Sequence, residues 1–355
     1  MSNKKVIMKG NEVIVEAALN AGCKFYAGYP ITPQNEIPEY MSKRAPAFNS
    51  IFIQAEAELS AINMLFGASA VGARCMTSSS SPGIALKQEG ISYIAAGELP
   101  CVIVNIVRGG PGLGNIKAAQ SDYFQATKGG GHGDYHMIVI TPHTVQELYD
   151  LTMKSFDYAD YYRNPVMILG DGILGQMFEP VELTPYKPIL QLPPKDFALT
   201  GCKGREPRVV KTLFLYPNDS LMKHNIHLDE KYKKIQKELT LVEEYKTEDA
   251  EIILVAYGIT ARIAKGAIEQ ARKDNIKVGL IRPITVWPFP SKSIAKASEH
   301  CKKFISVEMS NGQMVEDVKL ALFGKSGIKV EHFGIGGGWY PSKTNIYDKI
   351  KESVK

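Results

Sequence analysis

Short apolar segments of strand length recur along this chain with helix-length segments between them, and that alternation restricts the fold more than any other feature. Strands are expected near residues 24–27, 51–54, 74–77, 101–107, 137–140 and 166–169, with helices notably over 82–96 and 144–161. An earlier helix is expected to be capped by Asn11, with Ile14, Ala17, Ala18 and Ala21 on one face and Gly22 at its stop. Apolar strands separated by helices predict a parallel sheet covered on both faces. Over residues 179–207 prolines cluster (Pro180, Pro185, Pro188, Pro193, Pro194) and the periodicity dissolves into a connector. A charged helix is expected at 229–245, after which strands near 252–256, 277–282, 304–307 and 329–332 alternate with helices again. The fold class is therefore α/β, with two α/β domains at 1–185 and 249–355 joined by a connector at 186–248 that carries the charged helix.

A chain of 355 residues can bury two cores, and 45% hydrophobic with 22% charged residues is the balance of a globular protein. Apolar runs such as 101–107 are strand-sized and far short of a membrane span, so no membrane association is expected. Met1-Ser2-Asn3-Lys4-Lys5 does not open a secretory leader. The net charge of +5 is mild. The runs Lys231-Tyr232-Lys233-Lys234 and Lys302-Lys303 read as solvated helix faces, not as a nucleic-acid footprint. The five cysteines (Cys23, Cys75, Cys101, Cys202, Cys301) are scattered singly, which suits a cytoplasmic location and predicts no iron–sulfur cluster in this chain.

Four loops fall at the carboxyl ends of first-domain strands, where open α/β sheets bind ligands. They are Gly28-Tyr29-Pro30-Ile31-Thr32-Pro33, the corner at Glu58, Thr77 to Gly83 with its run of serines, and Arg108 to Gly114. Each alone has a structural reading: Thr32 or the serines as helix caps, the glycines as plain loop. Together on one rim they favour a site. The corner Ala55-Glu56-Ala57-Glu58 is the most telling, because a buried carboxylate is costly unless something needs it. Thiamine diphosphate needs one, a glutamate that holds a proton on its pyrimidine ring.

These stretches, with Gln54 to Gly67, Gln88-Glu89-Gly90-Ile91-Ser92-Tyr93, Arg108 to Gln125 and Gly129 to His136, closely resemble the α subunits of the multi-subunit 2-oxoacid:ferredoxin oxidoreductases. Within that family the resemblance is to the VorB-type branch acting on 2-oxoisovalerate (3-methyl-2-oxobutanoate), and it covers nearly the whole chain. The resemblance implies a thiamine-diphosphate-binding domain of the pyrimidine type followed by a transketolase-C-terminal-like domain. It places the pyrophosphate, Mg²⁺ and an iron–sulfur cluster in a β subunit, beside a small γ and a ferredoxin-like δ subunit. The reaction it implies decarboxylates a 2-oxoacid oxidatively, passes the acyl group to coenzyme A and sends electrons to ferredoxin. Related enzymes follow the catalytic glutamate with a small residue one helical turn later and a glycine two turns beyond. Glu58, with Ala61 and Gly67, fits that spacing, and Glu56 stands second. By the same resemblance Thr32 and Arg108 face the reacting carbon, Arg108 pairing with the substrate carboxylate, while Pro30, Ile31 and Ser80 border the pyrimidine.

Three motifs imitate other chemistry. Gly170-Asp171-Gly172 lacks the downstream Asn of a Mg²⁺–pyrophosphate site. The segment from Gly337 to Thr344 misses a phosphate loop at Pro341 and Ser342. His132 and His136 share a glycine loop with no metal-binding spacing; His224 and His227 read as ordinary surface residues. Other readings stay open: the α subunit of the 2-oxoglutarate enzyme, which wants a second cation such as Lys117 or Lys87, a non-catalytic scaffold, and an ATP- or NAD-binding protein.

Overall fold

A computed structural model describes residues 5–354, so the leader reading at residues 1–4 lies outside the described residues. The first half runs β1 (Lys5–Lys9), α1 (Gly10–Asn20), β2 (Phe25–Gly28), α2 (Glu36–Arg44), β3 (Ile51–Gln54), α3 (Glu58–Ala70), β4 (Cys75–Ser79), α4 (Ser81–Ala96) and β5 (Cys101–Val107). It continues with α5 (Tyr123–Thr127), β6 (Ile138–Ile140), α6 (Val145–Tyr162), β7 (Pro165–Asp171), α7 (Gly172–Gln176) and β8 (Phe178–Glu182). No regular element then occurs until α8 (Ser220–Glu238), β9 (Val242–Tyr245), β10 (Ile252–Val255), α9 (Gly258–Lys273), β11 (Val278–Pro283) and β12 (Thr285–Trp287). The chain closes with α10 (Ser291–Ala297), β13 (Lys303–Val307), α11 (Met314–Ala321), β14 (Lys329–Phe333) and α12 (Lys343–Val354).

Strands β4, β5 and β7 are buried along their whole lengths, as a sheet covered on both faces requires. The main sheet has the order β12-β6-β7-β5-β4-β2-β3 and is parallel except for β12, which runs antiparallel to β6. A second sheet, β14-β13-β10-β11-β9, is parallel except for β9. β1 and β8 form a separate antiparallel pair.

Several local expectations shift. Asn11 is no cap: it lies inside α1, and its amide donates to Pro33 O at 2.8 Å and Glu36 Oε2 at 2.7 Å, tying α1 to the loop after β2. The charged helix starts at Ser220 and ends at Glu238, and residues 242–245 are a strand of the second sheet. One face of that helix is packed, not solvated: Tyr232 is buried, and Lys231 Nζ donates to Glu98 Oε1 and Arg163 O, each at 3.1 Å. β12, from within residues 249–355, completes the edge of the main sheet.

The two halves meet through buried polar groups. Arg282 on β11 donates through Nη1 and Nη2 to Glu147 on α6 at 3.0 and 2.8 Å, and through Nε to Glu243 on β9 at 2.7 Å. Gln120 Nε2 donates to Tyr257 O at 2.9 Å, and Gln120 Oε1 accepts from Met309 N at 3.0 Å.

Candidate active site

The chain leaves β2 for β3 on one side and returns to β4 on the other, so the gap between β2 and β4 is the switch point of the main sheet. Loops diverge there and leave room for a ligand beyond the carboxyl ends of the strands. The loops after β2, β3, β4 and β5 carry Pro30, Ile31 and Thr32, then Glu58, then Ser80, then Arg108. All of the expected site residues therefore stand on one rim, where a hydrogen bond joins Arg108 to Thr32.

Glu58 is the first residue of α3 and is 5% exposed. It lies in the first turn of α3, a helix whose start carries no side-chain cap. Ser79 Oγ approaches Glu58 Oε1 at 3.5 Å. The second glutamate, Glu56, is exposed and accepts from Ser60 Oγ at 2.9 Å. Gly83 in the first turn of α4 explains how the acid fits: a Cβ there would stand 2.4 Å from Glu58 Oε1 and 2.0 Å from Ser79 Oγ.

Ser80 sits in the N-cap position of α4 but makes no capping bond, and its buried Oγ has no partner in the chain. The next residue, Ser81, donates its N–H to Asn105 Oδ1 at 3.1 Å, and Asn105 Nδ2 reaches Asp122 Oδ2 at 2.9 Å. Burial raises the Asp122 carboxyl above the usual range, against the hydrogen bonds from Ser81 and Asn105. The signal for this support was readable: Asn105 is the one polar residue in the apolar run of β5.

Arg108 is 6% exposed. It donates from Nη1 to Thr32 O at 2.9 Å and from Nη2 to Leu113 O at 3.0 Å, while its buried Nε has no partner. Its own N–H donates to Ser81 Oγ at 3.1 Å. Arg108 and Thr32 are thus brought together, through the main chain of Thr32. Thr32 does not cap α2, whose cap position is Asn35; its Oγ1 accepts from Asn35 Nδ2 at 3.4 Å. It lines a cleft of about 380 Å³ with Pro33, Asn35, Glu36, Ile116 and Ile173.

Lys87 is fully buried on α4, with Nζ donating to Thr77 Oγ1 at 2.7 Å. The other motifs have structural occupations. Asp171 is buried and caps α7, accepting from Ile173 N and Leu174 N at 3.0 and 3.1 Å. Ser342 bonds Asn345 at the start of α12. His136 stacks on Trp287 with ring centroids 4.5 Å apart, and His132 is exposed. His224 is not simply a surface residue: it stacks on Phe214, and its Nε2 lies 2.9 Å from Ala96 O. No group of three or more His, Cys, Asp or Glu placed to hold a metal ion occurs among the described residues.

Two family profiles divide the sequence between them. The thiamine-diphosphate-binding domain of pyruvate flavodoxin/ferredoxin oxidoreductases matches residues 16–244, and core domain II of pyruvate:ferredoxin oxidoreductase matches residues 250–345. The chain belongs to the pyruvate flavodoxin/ferredoxin oxidoreductase family. Among its relatives, the ketoisovalerate oxidoreductase subunit VorB of Methanothermobacter marburgensis is 50% identical over 98% of this chain and 97% of that protein. The 2-oxoglutarate synthase subunit KorA of Methanothermobacter thermautotrophicus is 34% identical over 92% of this chain and 93% of that protein. The solved 2-oxoglutarate:ferredoxin oxidoreductase from Magnetococcus marinus, with 2-oxoglutarate, coenzyme A and succinyl-CoA bound, superposes with a TM-score of 0.87 at 26% identity. It covers 99% of this chain and 66% of that one. A split-gene transketolase shares the fold, with a TM-score of 0.62 at 13% identity.

For a member of this family the rim is chemically apt for a thiamine pyrimidine. It offers a buried acid in a glycine cradle, and two buried polar atoms, Ser80 Oγ and Arg108 Nε, that this chain leaves without partners. No helix among the described residues is long and apolar enough to cross a membrane.

Proposed function

We propose that this chain is the α subunit that holds the thiamine pyrimidine in a 2-oxoacid:ferredoxin oxidoreductase whose substrate is a branched-chain 2-oxoacid, 2-oxoisovalerate. The observation that carries this reading is Glu58 itself, a buried carboxylate at the switch point with glycine, not a side chain, packed against it. Bound thiamine diphosphate supplies the carbanion chemistry, and this chain supplies proton control and orientation. Glu58 holds the proton at the pyrimidine nitrogen, Ser80, Pro30 and Ile31 border the ring, and Thr32 with Arg108 orients the substrate carboxylate. Pyrophosphate, Mg²⁺ and the iron–sulfur cluster are assigned to a β subunit, with γ and ferredoxin-like δ subunits completing a cytoplasmic complex that uses coenzyme A and ferredoxin. Support for that division is the occupation of Asp171 as a helix cap and the five unpaired cysteines, four of them buried.

The branched-chain substrate is favoured over 2-oxoglutarate by the 50% identity to the ketoisovalerate subunit, against 34% to the 2-oxoglutarate subunit. In the reconstituted complex Glu58→Gln is expected to abolish decarboxylation while assembly is retained, and Glu56→Gln to leave turnover within about twofold, as for a surface change. Near-normal turnover in Glu58→Gln overturns the reading. Coenzyme-A-dependent dye reduction compared on 2-oxoisovalerate and 2-oxoglutarate tests the substrate.

A further inference from the structure

Ser80 and Arg108 come from different loops of the rim, and Ser81 fastens them both. Its N–H, in the peptide shared with Ser80, donates to Asn105 Oδ1 at 3.1 Å, and its Oγ accepts from Arg108 N at 3.1 Å. Asn105 is fully buried, and its Nδ2 donates to Asp122 Oδ2 at 2.9 Å. That last bond sets which way the amide faces. An Asp oxygen accepts from the NH₂ end, so the oxygen end is left for Ser81.

Asp122 is held in turn by the second domain. Gln313 Nε2 donates to Ser121 O at 2.7 Å and Gln313 Oε1 accepts from Phe124 N at 2.8 Å, so one side chain grips the backbone on both sides of Asp122. Gln313 stands at the cap position of α11, and its own N–H donates to Glu308 Oε2 at 2.9 Å. The Glu308 carboxylate is fully buried just after β13 and also accepts from Met314 N and Val315 N at 2.9 and 3.0 Å. Polar contacts therefore run without a break from α11 to the rim, and a buried network with its members satisfied fixes geometry.

We propose that Asp122 is a positioning residue for the rim: it orients the Asn105 amide, which sets Ser80 and Arg108, while Gln313 holds it in place. This rests on the function proposed above. It adds that a domain supplying none of the rim residues helps to set how tightly cofactor and substrate are held.

The test is Asp122→Ala in the reconstituted complex, with kcat and KM for the 2-oxoacid and the Kd of thiamine diphosphate measured beside the melting temperature. KM and Kd are each expected to rise about tenfold, the effect of one buried hydrogen bond lost. The relay ends on binding groups and not on Glu58, so kcat at saturation should change by less than about threefold. Asp122→Asn keeps an oxygen for the Asn105 amide and should recover both constants, since burial already opposes the charge of the native carboxyl. Gln313→Ala should raise the same two constants, and the double variant with Asp122→Ala should be no worse than Asp122→Ala alone, because links in series couple. A lowered melting temperature with KM and Kd unchanged overturns the proposal, as do effects that multiply in the double variant. If Asp122→Ala fails to assemble, Gln313→Ala decides, and unchanged constants there overturn it. A native complex that neither binds thiamine diphosphate nor turns over a 2-oxoacid would instead overturn the function proposed above.

Discussion

Arg108 donates to the main-chain carbonyl of Thr32 across 2.9 Å, so a buried cation ties the last loop of the rim to the first. A second bond to Leu113 O holds the other branch of the same guanidinium. Arg108→Lys keeps the charge and loses the fork. The expected result is a rise of at least about tenfold in KM for the 2-oxoacid, with a stability loss of about 2 kcal/mol, as for a charged hydrogen bond removed. Steady-state kinetics and thermal melting of the complex measure the two effects separately.

The space opposite Glu58 belongs to Gly83. A methyl group there would collide with both Glu58 Oε1 and Ser79 Oγ. Gly83→Ala is therefore expected to weaken thiamine diphosphate binding by at least about tenfold, the cost of a misplaced carboxylate. Gly67→Ala is the contrast, since nothing lies within 4 Å of the added Cβ on that exposed position of α3. It should stabilise the isolated chain by about 1 kcal/mol through helix propensity. Thiamine titration and melting temperature check the pair.

Glu147 links pH to the cohesion of the two halves. Burial alone would raise its carboxyl, but the hydrogen bond from His143 and the charge of Arg282 prevail and hold it at about 2. Because that lies below the unfolded value of 4.5, the stabilisation is fully present above pH 4.5 and is lost as pH falls toward 2. Denaturation of the native chain and Glu147→Gln at several acidic pH values should give curves that converge as pH drops. Arg282→Met should cost about 1–3 kcal/mol near neutrality, since it takes a charged hydrogen-bond partner from two half-buried carboxylates.

The sequence revealed most where one residue type had one reason to be present. Strands such as Cys101–Val107 are continuous apolar runs, and only a two-sided interior explains them. Lys5–Lys9 and Phe178–Glu182 escaped because most of their residues are outside the core, so no clean alternation marks them. Thr285–Trp287 is too short to carry a pattern. Within the rim, the spacing from Glu58 to Ala61 singled out the inward-facing acid, and the exposure of Glu56 gives the physical reason. The complete burial of Lys87 left no mark in the sequence, because lysine ordinarily signals solvent and only its neighbours in the fold enclose it. Asn11 was misread for a related reason: asparagine before an apolar stretch suits a cap, but here its amide reaches Pro33 and Glu36 on another segment.

Thr285–Trp287 has a wider consequence. By pairing with Ile140 and Val139 it gives the largest sheet a border strand made more than a hundred residues downstream. A fragment truncated before it would present a raw backbone edge flanked by apolar side chains, the kind of seam along which chains zip into aggregates. The last third of the polypeptide thus finishes a sheet that its first third begins.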